Sequence, residues 1–134
     1  MVTSSARLRI LLVVPEGRRR EIARQLQPLS ADLVFADPSG KAEGEIGEDD
    51  TFQVALLPAT LTDTAWWRLW GILAALPYRP ALLVYAREAS FQLWSGVLEA
   101  GGYDVIVEPF SDAQIQDAVL KAAQSLDERL SDGL

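Results

Sequence analysis

Hydrophobic residues occur along this chain in short continuous runs, separated by helical patterns or by polar segments. The runs span residues 8–14, 32–36, 52–57, 81–86 and 104–108. Apolar runs of this length, bounded by glycine or proline, are typical of strands covered on both faces of a sheet. The last run, Val105-Ile106-Val107, lies between Gly101-Gly102 and Pro109. We therefore expect five strands, the fifth of them a short buried strand that follows a helix end.

Four segments between or after these runs carry apolar residues at helical spacing. The spacing predicts helices over 18–29, 64–76, 89–100 and 112–126, with Ser111 or Asp112 capping the last helix. The segment 38–51 differs, because it contains three glycines, five acidic residues and only one large apolar side chain, Ile46. It predicts a loop or a single turn, so the second crossover helix is expected to be short or missing.

The order of these elements predicts an α/β fold. Strands that alternate with helices form a parallel sheet with helices on both faces, a three-layer sandwich. Right-handed crossovers then favour a flavodoxin-like sheet of five strands in the order 2-1-3-4-5. The sequence predicts one domain over residues 1–134, with a core of about 7–126, a loose N-terminal tail and a C-terminal end that frays after about residue 126.

Composition narrows the classes of function. The net charge of −7 argues against a nucleic-acid or anionic-membrane surface, since both require a basic footprint. The chain has no cysteine and no histidine, which removes disulfides, thiolate metal sites and the commonest general base. The apolar run near the start, 10–14, is too short for a signal peptide or a membrane span. We interpret the protein as cytoplasmic.

Four stretches of the chain together resemble a bacterial response-regulator receiver domain, which is a CheY-like module of two-component signalling. They are 10–14 with the acidic turn after it, 54–57, 80–87, and 100–110 with its Ala-Gly-Gly-Tyr-Asp and Glu-Pro-Phe elements. The last stretch is the most specific, and the resemblance covers roughly residues 7–126. It implies the flavodoxin-like fold already predicted and a signalling role rather than an enzymatic one.

The chain departs from the receiver pattern at the positions that carry the family's chemistry. The acidic pair that holds magnesium matches Pro15 and Glu16, and the phosphorylated aspartate matches Pro58. The hydroxyl residue that senses the phosphoryl group matches Tyr85, the aromatic switch residue matches Val105, and the phosphoryl-binding lysine matches Glu108. Proline supplies no nucleophile, and glutamate reverses the charge of the lysine. The resemblance therefore implies a degenerate pseudo-receiver that keeps the fold, has no aspartyl phosphorylation and uses no cofactor.

Charged residues near the carboxyl ends of the predicted strands leave a second function open. Oxygen ligands suit magnesium or calcium, and the acidic candidates are Glu16, Asp37, Asp63, Glu88 and Glu108. The alternative function is thus a small-ligand or metal-ion sensor at this edge of the sheet, although solvated loop carboxylates are commoner. Arg18, Arg19 and Arg20 begin a predicted helix. They could bind an anion, form a solvated face or pair with nearby carboxylates.

Aromatic residues indicate a protein contact. The predicted helix 64–76 carries three tryptophans on more than one face, and the next helix carries a fourth. Exposed aromatic patches mark contact sites, so the candidate interface residues are Trp67, Trp70, Phe91, Trp94 and Val105. We expect a protein partner or a homodimer, through helix 64–76 or through the surface over 89–126 with which receivers usually associate.

Overall fold

The computed structural model describes residues 8–38, 46, 51–59, 63–76, 79–88 and 90–132, with backbone alone for 63–67 and 126–132. The strands are β1 (Arg9–Val13), β2 (Asp32–Ala36), β3 (Val54–Pro58), β4 (Ala81–Ala86) and β5 (Asp104–Val107). The α-helices described are α1 (Arg19–Leu26), α2 (Asp63–Ala74), α3 (Phe91–Glu99) and α4 (Asp112–Asp132), and 3-10 turns at Glu16–Arg18 and Gln27–Leu29 flank α1.

The five strands form one parallel sheet in the order β2-β1-β3-β4-β5. The predicted flavodoxin-like topology is therefore confirmed. The four apolar residues of β1 and every residue of β3 and β4 are buried, as expected for central strands covered on both faces. The predicted loop over 38–51 lies outside the described residues except for Pro38, Ile46 and Thr51, and the predicted N-terminal tail lies outside them as well.

Each face of the sheet has its own apolar core. Helices α1 and α4 cover one face, and Ile22, Leu26, Ile115 and Val119 pack there against alternate residues of β1, β3 and β4. Helix α2 covers the other face with Leu69, Trp70 and Leu73, and the partly buried Ile46 packs against this second core. None of the described helices has the length and apolar content that a membrane span requires.

Strand β5 is less buried than the sequence predicts. Val105 and Ile106 are only partly buried and Val107 is 38% exposed, so the expected burial on both faces is wrong. The reason is position, since β5 is the last strand in the sheet order and α3 buries only one residue, Val97. A second correction concerns α4, which continues to Asp132 instead of ending near residue 126.

The connection from α3 to β5 depends on two glycines. Gly101 has a φ of 94°, a left-handed conformation that closes the helix and that other residues adopt at a cost. The backbone N–H of Gly102 donates to the carbonyl oxygen of Val97 at 2.8 Å. A Cβ atom at Gly102 would lie 2.5 Å from Cγ1 of Val97 and 2.9 Å from that carbonyl oxygen. The backbone therefore turns into β5 at a distance that only glycine permits.

A reciprocal cap fixes the start of α4, beside the carboxyl end of β5. The hydroxyl Oγ of Ser111 accepts from the backbone N–H of Gln114 at 3.1 Å, and the Gln114 amide oxygen accepts from the N–H of Ser111 at 2.7 Å. This capping box satisfies two N–H groups of the first turn. It confirms the predicted helix start and holds the loop 108–111 that carries Glu108.

Candidate functional site

The sheet brings the predicted site positions together at its carboxyl edge. Pro15 and Glu16 follow β1, Pro58 is the last residue of β3, Tyr85 is next to last in β4, and Glu108 follows β5. In an open parallel sheet this edge is where ligands bind. Pro15 and Glu16 are exposed there, whereas Pro58 and Tyr85 are buried.

An ion pair spans this edge. The guanidinium of Arg18, in the turn after β1, donates from Nη1 to Oε1 of Glu108, in the loop after β5. Three strand spacings separate β1 from β5, which is about 14 Å, so the side chains of Arg18 and Glu108 bridge this distance together. The side chain of Glu108 is 15% exposed and that of Arg18 is 36% exposed. The pair is therefore partly withdrawn from water, and Glu108 is neutralised by a cation of the same chain.

Two aromatic rings support the arginine. The Arg18 guanidinium carbon lies 5.8 Å from the ring centroid of Tyr85 and 5.9 Å from that of Phe110. Both distances fall within the range of a cation–π contact. Phe110 follows Glu108 by two residues, and the Glu108–Pro109 peptide bond between them is cis. The same short loop thus supplies both the carboxylate and one ring of the arginine site.

The phenol of Tyr85 closes the space beneath Arg18. Its hydroxyl donates to the backbone carbonyl oxygen of Val13 at 3.0 Å. Because β3 lies between β1 and β4, the Tyr85 side chain passes over the end of β3 to reach β1. Tyr85 is 6% exposed, and burial raises its pKa to about 12, while the nearby Arg18 charge opposes that rise. The hydroxyl is therefore a neutral hydrogen-bond donor at physiological pH.

Pro58 fits the sheet without the loss of a ladder hydrogen bond. The sequence predicts that Pro58 terminates the strand, but β3 includes it, paired with Tyr85 of β4. The next residue, Ala59, donates its N–H to the Tyr85 carbonyl at 2.9 Å. Since successive N–H groups point to opposite sides of a strand, the nitrogen of Pro58 faces β1. The pairing of β1 with β3 ends at Leu12 and Leu56. Pro58 lies beyond that pairing, so its missing N–H removes no hydrogen bond from the β1–β3 ladder.

The acidic metal-ligand candidates have different environments. Glu16 and Glu88 are exposed, Glu108 is paired with Arg18, and the side chain of Asp63 lies outside those described. Within the described ranges, no three acidic side chains come close enough together to hold a metal ion.

The candidate interface residues have different environments. Trp70 is 6% exposed and packs in the core beneath α2, which removes it from the candidate interface. Phe91 is 77% exposed and Trp94 is 45% exposed, and their ring centroids are 6.2 Å apart on α3. Val105 is partly buried, and its N–H is bonded to the Asp104 carboxylate at 2.8 Å. The side chain of Trp67 lies outside the described ones.

Two residues of the site, Arg18 and Phe110, were not among the predicted site positions. The sequence left the arginines 18–20 with three interpretations, and the structure confirms pairing with a carboxylate for Arg18. The signal that could have identified Arg18 is charge compensation. An acidic residue after β5 at this edge needs a cation nearby, and the arginines in the turn after β1 and Arg87 after β4 lie at the same edge of the sheet.

Comparisons with known proteins find similarity in structure alone. No known family and no curated protein matches the sequence. A CheY-like receiver domain from Methanospirillum hungatei JF-1 superposes with a TM-score of 0.76 at 18% identity, over 92% of this chain and 99% of that one. A response regulator from Thermotoga maritima gives a TM-score of 0.75 at 13% identity, over 88% and 98% of the two chains.

A third similar structure was solved with a metal. It is the receiver domain of a sensor histidine kinase from Pseudomonas aeruginosa PAO1, with a magnesium ion coordinated in its active-site cleft. It has a TM-score of 0.70 and 19% identity, over 89% of this chain and 99% of that one. These superpositions span nearly the whole of each matched chain, and the strand order agrees with the predicted topology. The chain therefore has the flavodoxin-like fold of the CheY-like receiver domains.

Proposed function

We propose that this chain is a pseudo-receiver of bacterial signal transduction. It keeps the scaffold of a receiver domain, is not phosphorylated on aspartate, and acts through contacts with another protein. The observation that carries the proposal is the set of contacts at the carboxyl edge, called the closed edge below, where the Tyr85 phenol reaches from β4 to the backbone of β1 and Arg18 pairs with Glu108.

The chemistry of the closed edge opposes an acyl phosphate at each step. In the receivers that the sequence resembles, an aspartate attacks, a magnesium ion bridges and a lysine pairs with the phosphoryl group. Here Pro58 has no nucleophilic oxygen, Glu16 is one carboxylate instead of two, and Glu108 would repel a phosphoryl group. Arg18, a cation in this region, is already bound to Glu108.

The surface of α3 supports the second half of the proposal. Phe91 and Trp94 are large aromatic side chains in mutual contact and largely exposed. Aromatic residues are enriched in the centres of protein interfaces. We propose that this surface binds the partner, and that binding replaces phosphorylation as the signalling event.

Treatment with acetyl phosphate and magnesium tests the first half directly. The purified protein is incubated with both and its intact mass is measured, with an aspartate-containing receiver domain as the positive control. We expect no mass increase in this protein and an alkali-labile phosphoryl adduct in the control. An alkali-labile adduct on this chain would overturn the proposal.

A graded set of variants separates the missing nucleophile from the closed space. The Pro58→Asp variant restores a carboxylate alone, and the triple variant with Tyr85→Thr and Glu108→Lys also opens the space and restores the cation. We expect the single variant to stay unlabelled because position 58 is buried beside Tyr85. Labelling of the single variant at the rate of the positive control would show that the edge is open.

A further inference from the structure

Helix α1 carries a buried amide among apolar neighbours. Gln25 is 4% exposed, and Ile22 one turn before it and Leu26 next to it belong to the apolar core that α4 covers. The Oε1 atom of Gln25 has no hydrogen-bond partner among the described residues. A buried amide with an unsatisfied oxygen lowers stability in a way that an apolar side chain of the same size does not. The amide nitrogen is therefore the part of this side chain that makes favourable contacts.

The amide nitrogen of Gln25 holds the loop at the start of α4. Nε2 donates to the backbone carbonyl oxygen of Phe110 at 3.3 Å and to Oδ1 of Asp112 at 3.1 Å. Both partners are acceptors, so the opposite orientation of the amide would set its oxygen against two oxygens. One side chain of α1 thus fixes the residues on either side of Ser111, which caps α4.

Two neighbouring contacts join the same parts of the chain. Arg24 donates to both carboxylate oxygens of Asp112, at 3.2 and 3.3 Å. Gln116 donates from Nε2 to the backbone carbonyl oxygen of Gln25 at 2.7 Å. These contacts of Arg24 and Gln25 with Phe110, Asp112 and Gln116 are called the α1–α4 seam below.

The α1–α4 seam and the closed edge share one loop. Phe110, whose carbonyl oxygen accepts from Gln25, places its ring centroid 5.9 Å from the guanidinium carbon of Arg18. Two residues earlier in the loop, Glu108 is the carboxylate that Arg18 binds. Arg18 lies seven residues before Gln25, about 10 Å along the axis, so one short segment contacts both ends of the loop 108–112. The position of this loop relative to α1 therefore decides whether Glu108 meets Arg18.

We infer that Gln25 is a positioning residue of the closed edge, and that its buried amide couples the Arg18–Glu108 pair to the packing of α1 on α4. It acts on the pair through the backbone of Phe110. A contact that moves α4 along α1 breaks these hydrogen bonds, shifts the loop and opens the edge with no ligand bound there. The inference goes beyond the proposed function, because it concerns how the edge is held and requires neither a partner nor the absence of phosphorylation.

A double-mutant cycle measures this coupling. The cycle of Arg18→Met and Glu108→Gln is run by urea denaturation in the wild type and again in the Gln25→Met background. Methionine keeps the length of the side chain and removes the donor. In the wild type we expect the coupling of the pair to be about five-fold in the unfolding equilibrium constant. In the Gln25→Met background it should fall below about two-fold.

A second measurement observes the arginine directly. The Nε–H resonance of Arg18, identified in proton–nitrogen NMR spectra by its loss in Arg18→Met, reports whether the guanidinium is bound. We expect Gln25→Met to move this resonance in the same direction as Glu108→Gln does, although position 25 lies about 10 Å away along the axis. A merely structural role of Gln25 would leave the resonance in place.

Two further variants complete the test. Ile22→Val is the matched control, because Ile22 is 1% exposed on the same helix and has no polar group that could hold the loop. It should lower stability without changing the coupling of the pair. Asp112→Ala removes one acceptor of the amide at a side chain that is 52% exposed, so it leaves the core intact. It should reduce the coupling about two-fold, and its result decides the question if Gln25→Met does not fold.

Three outcomes would overturn the inference. In the first, Gln25→Met and Asp112→Ala both keep the wild-type coupling and the wild-type Arg18 resonance. In the second, Ile22→Val weakens the coupling as much as Gln25→Met does. The third is a wild-type coupling close to one-fold, since there would then be no pair for Gln25 to position. Loss of coupling in Gln25→Met alone supports the inference, with the Phe110 carbonyl as the acceptor that matters.

Discussion

The ion pair across the carboxyl edge should stabilise the fold measurably. Breaking a fully buried pair costs about 3–5 kcal/mol, whereas exposed pairs contribute about 0–1 kcal/mol. Arg18 and Glu108 lie between these limits, with side chains 36% and 15% exposed. The solvent around Arg18 screens part of the attraction, so we expect Glu108→Gln to lower the free energy of unfolding by about 1–2 kcal/mol. For a chain of this size that lowers Tm by about 3–8 °C.

A double-mutant cycle isolates the pair from other effects of each substitution. Arg18→Met keeps an apolar stem against Tyr85, Glu108→Gln keeps the shape of the carboxylate, and the double variant carries both changes. Urea denaturation of the four proteins gives the coupling energy, which we expect to be about 1 kcal/mol. Because the pair is partly buried, this coupling should change little between low and high salt.

The control is a pair that joins the same two parts of the chain but is more exposed. Arg24 of α1 donates to Asp112 of α4 at 3.2 Å, with side chains 59% and 52% exposed. This contact lowers the pKa of Asp112, with Gln25 as a second cause. The cycle with Arg24→Met and Asp112→Asn should give a smaller coupling that salt weakens. If the Arg18–Glu108 coupling is no larger than this control, the ion pair does not hold the edge closed.

Three further predictions test the packing around this site. Gly102→Ala should destabilise the protein by about 2 kcal/mol in urea denaturation, because its Cβ would contact a backbone oxygen at 2.9 Å. The control is Gly96→Ala, where a Cβ within α3 would meet open space, and it should be neutral or stabilising by up to about 1 kcal/mol. Equal effects of the two would contradict the close approach. Tyr85→Phe should cost about 1 kcal/mol at pH 8, where the hydroxyl bonds to β1. The pKa of Tyr85 is about 12 in the folded protein, whereas an unfolded tyrosine ionises near pH 10, so the stability of the wild type falls as the pH rises from 10 to 12. The difference in free energy of unfolding between the wild type and Tyr85→Phe should therefore narrow over that range, and a constant difference would refute the raised pKa. Trp70→Ala should cost about 3–5 kcal/mol in thermal or urea unfolding, whereas Trp94→Ala should cost under about 1 kcal/mol, and a similar loss at both would contradict their different burial.

The fold was predictable because its information is local. Each strand is a β-branched or aliphatic run with a clear stop, and the parallel order follows from alternation and crossover handedness. The local sequence of β5 does not determine how exposed the strand is. The run 105–107 has the composition of a buried strand, but its burial depends on how α3 packs, and α3 has apolar residues on two adjacent sides. A single sequence does not show which of those sides faces the sheet.

The sequence predicted where the site residues lie in the fold better than it predicted which side chains contact one another. The match to receivers placed Pro58, Tyr85 and Glu108 at one edge of the sheet, and the structure brings them there. It did not show that the Tyr85 phenol reaches β1 or that Arg18 pairs with Glu108, because these contacts depend on the conformation of long side chains across two and three strand spacings, about 10 and 14 Å. Trp70 illustrates the same limit, since tryptophan at helical spacing is equally compatible with a core and with an interface.

The residues at the carboxyl edge are better understood as one coupled arrangement than as independent side chains. A glutamate at position 108 with no cation would leave a mostly buried charge without a partner, which costs several kcal/mol. Arg18 removes that cost, and the rings of Tyr85 and Phe110 hold the guanidinium in place. Pro58, which pairs with Tyr85 in the sheet and is buried, adds no polar side chain next to the phenol. Arg18, Glu108 and the two rings thus stabilise one another, so a variant that replaces one of them loses contacts that the remaining residues cannot supply.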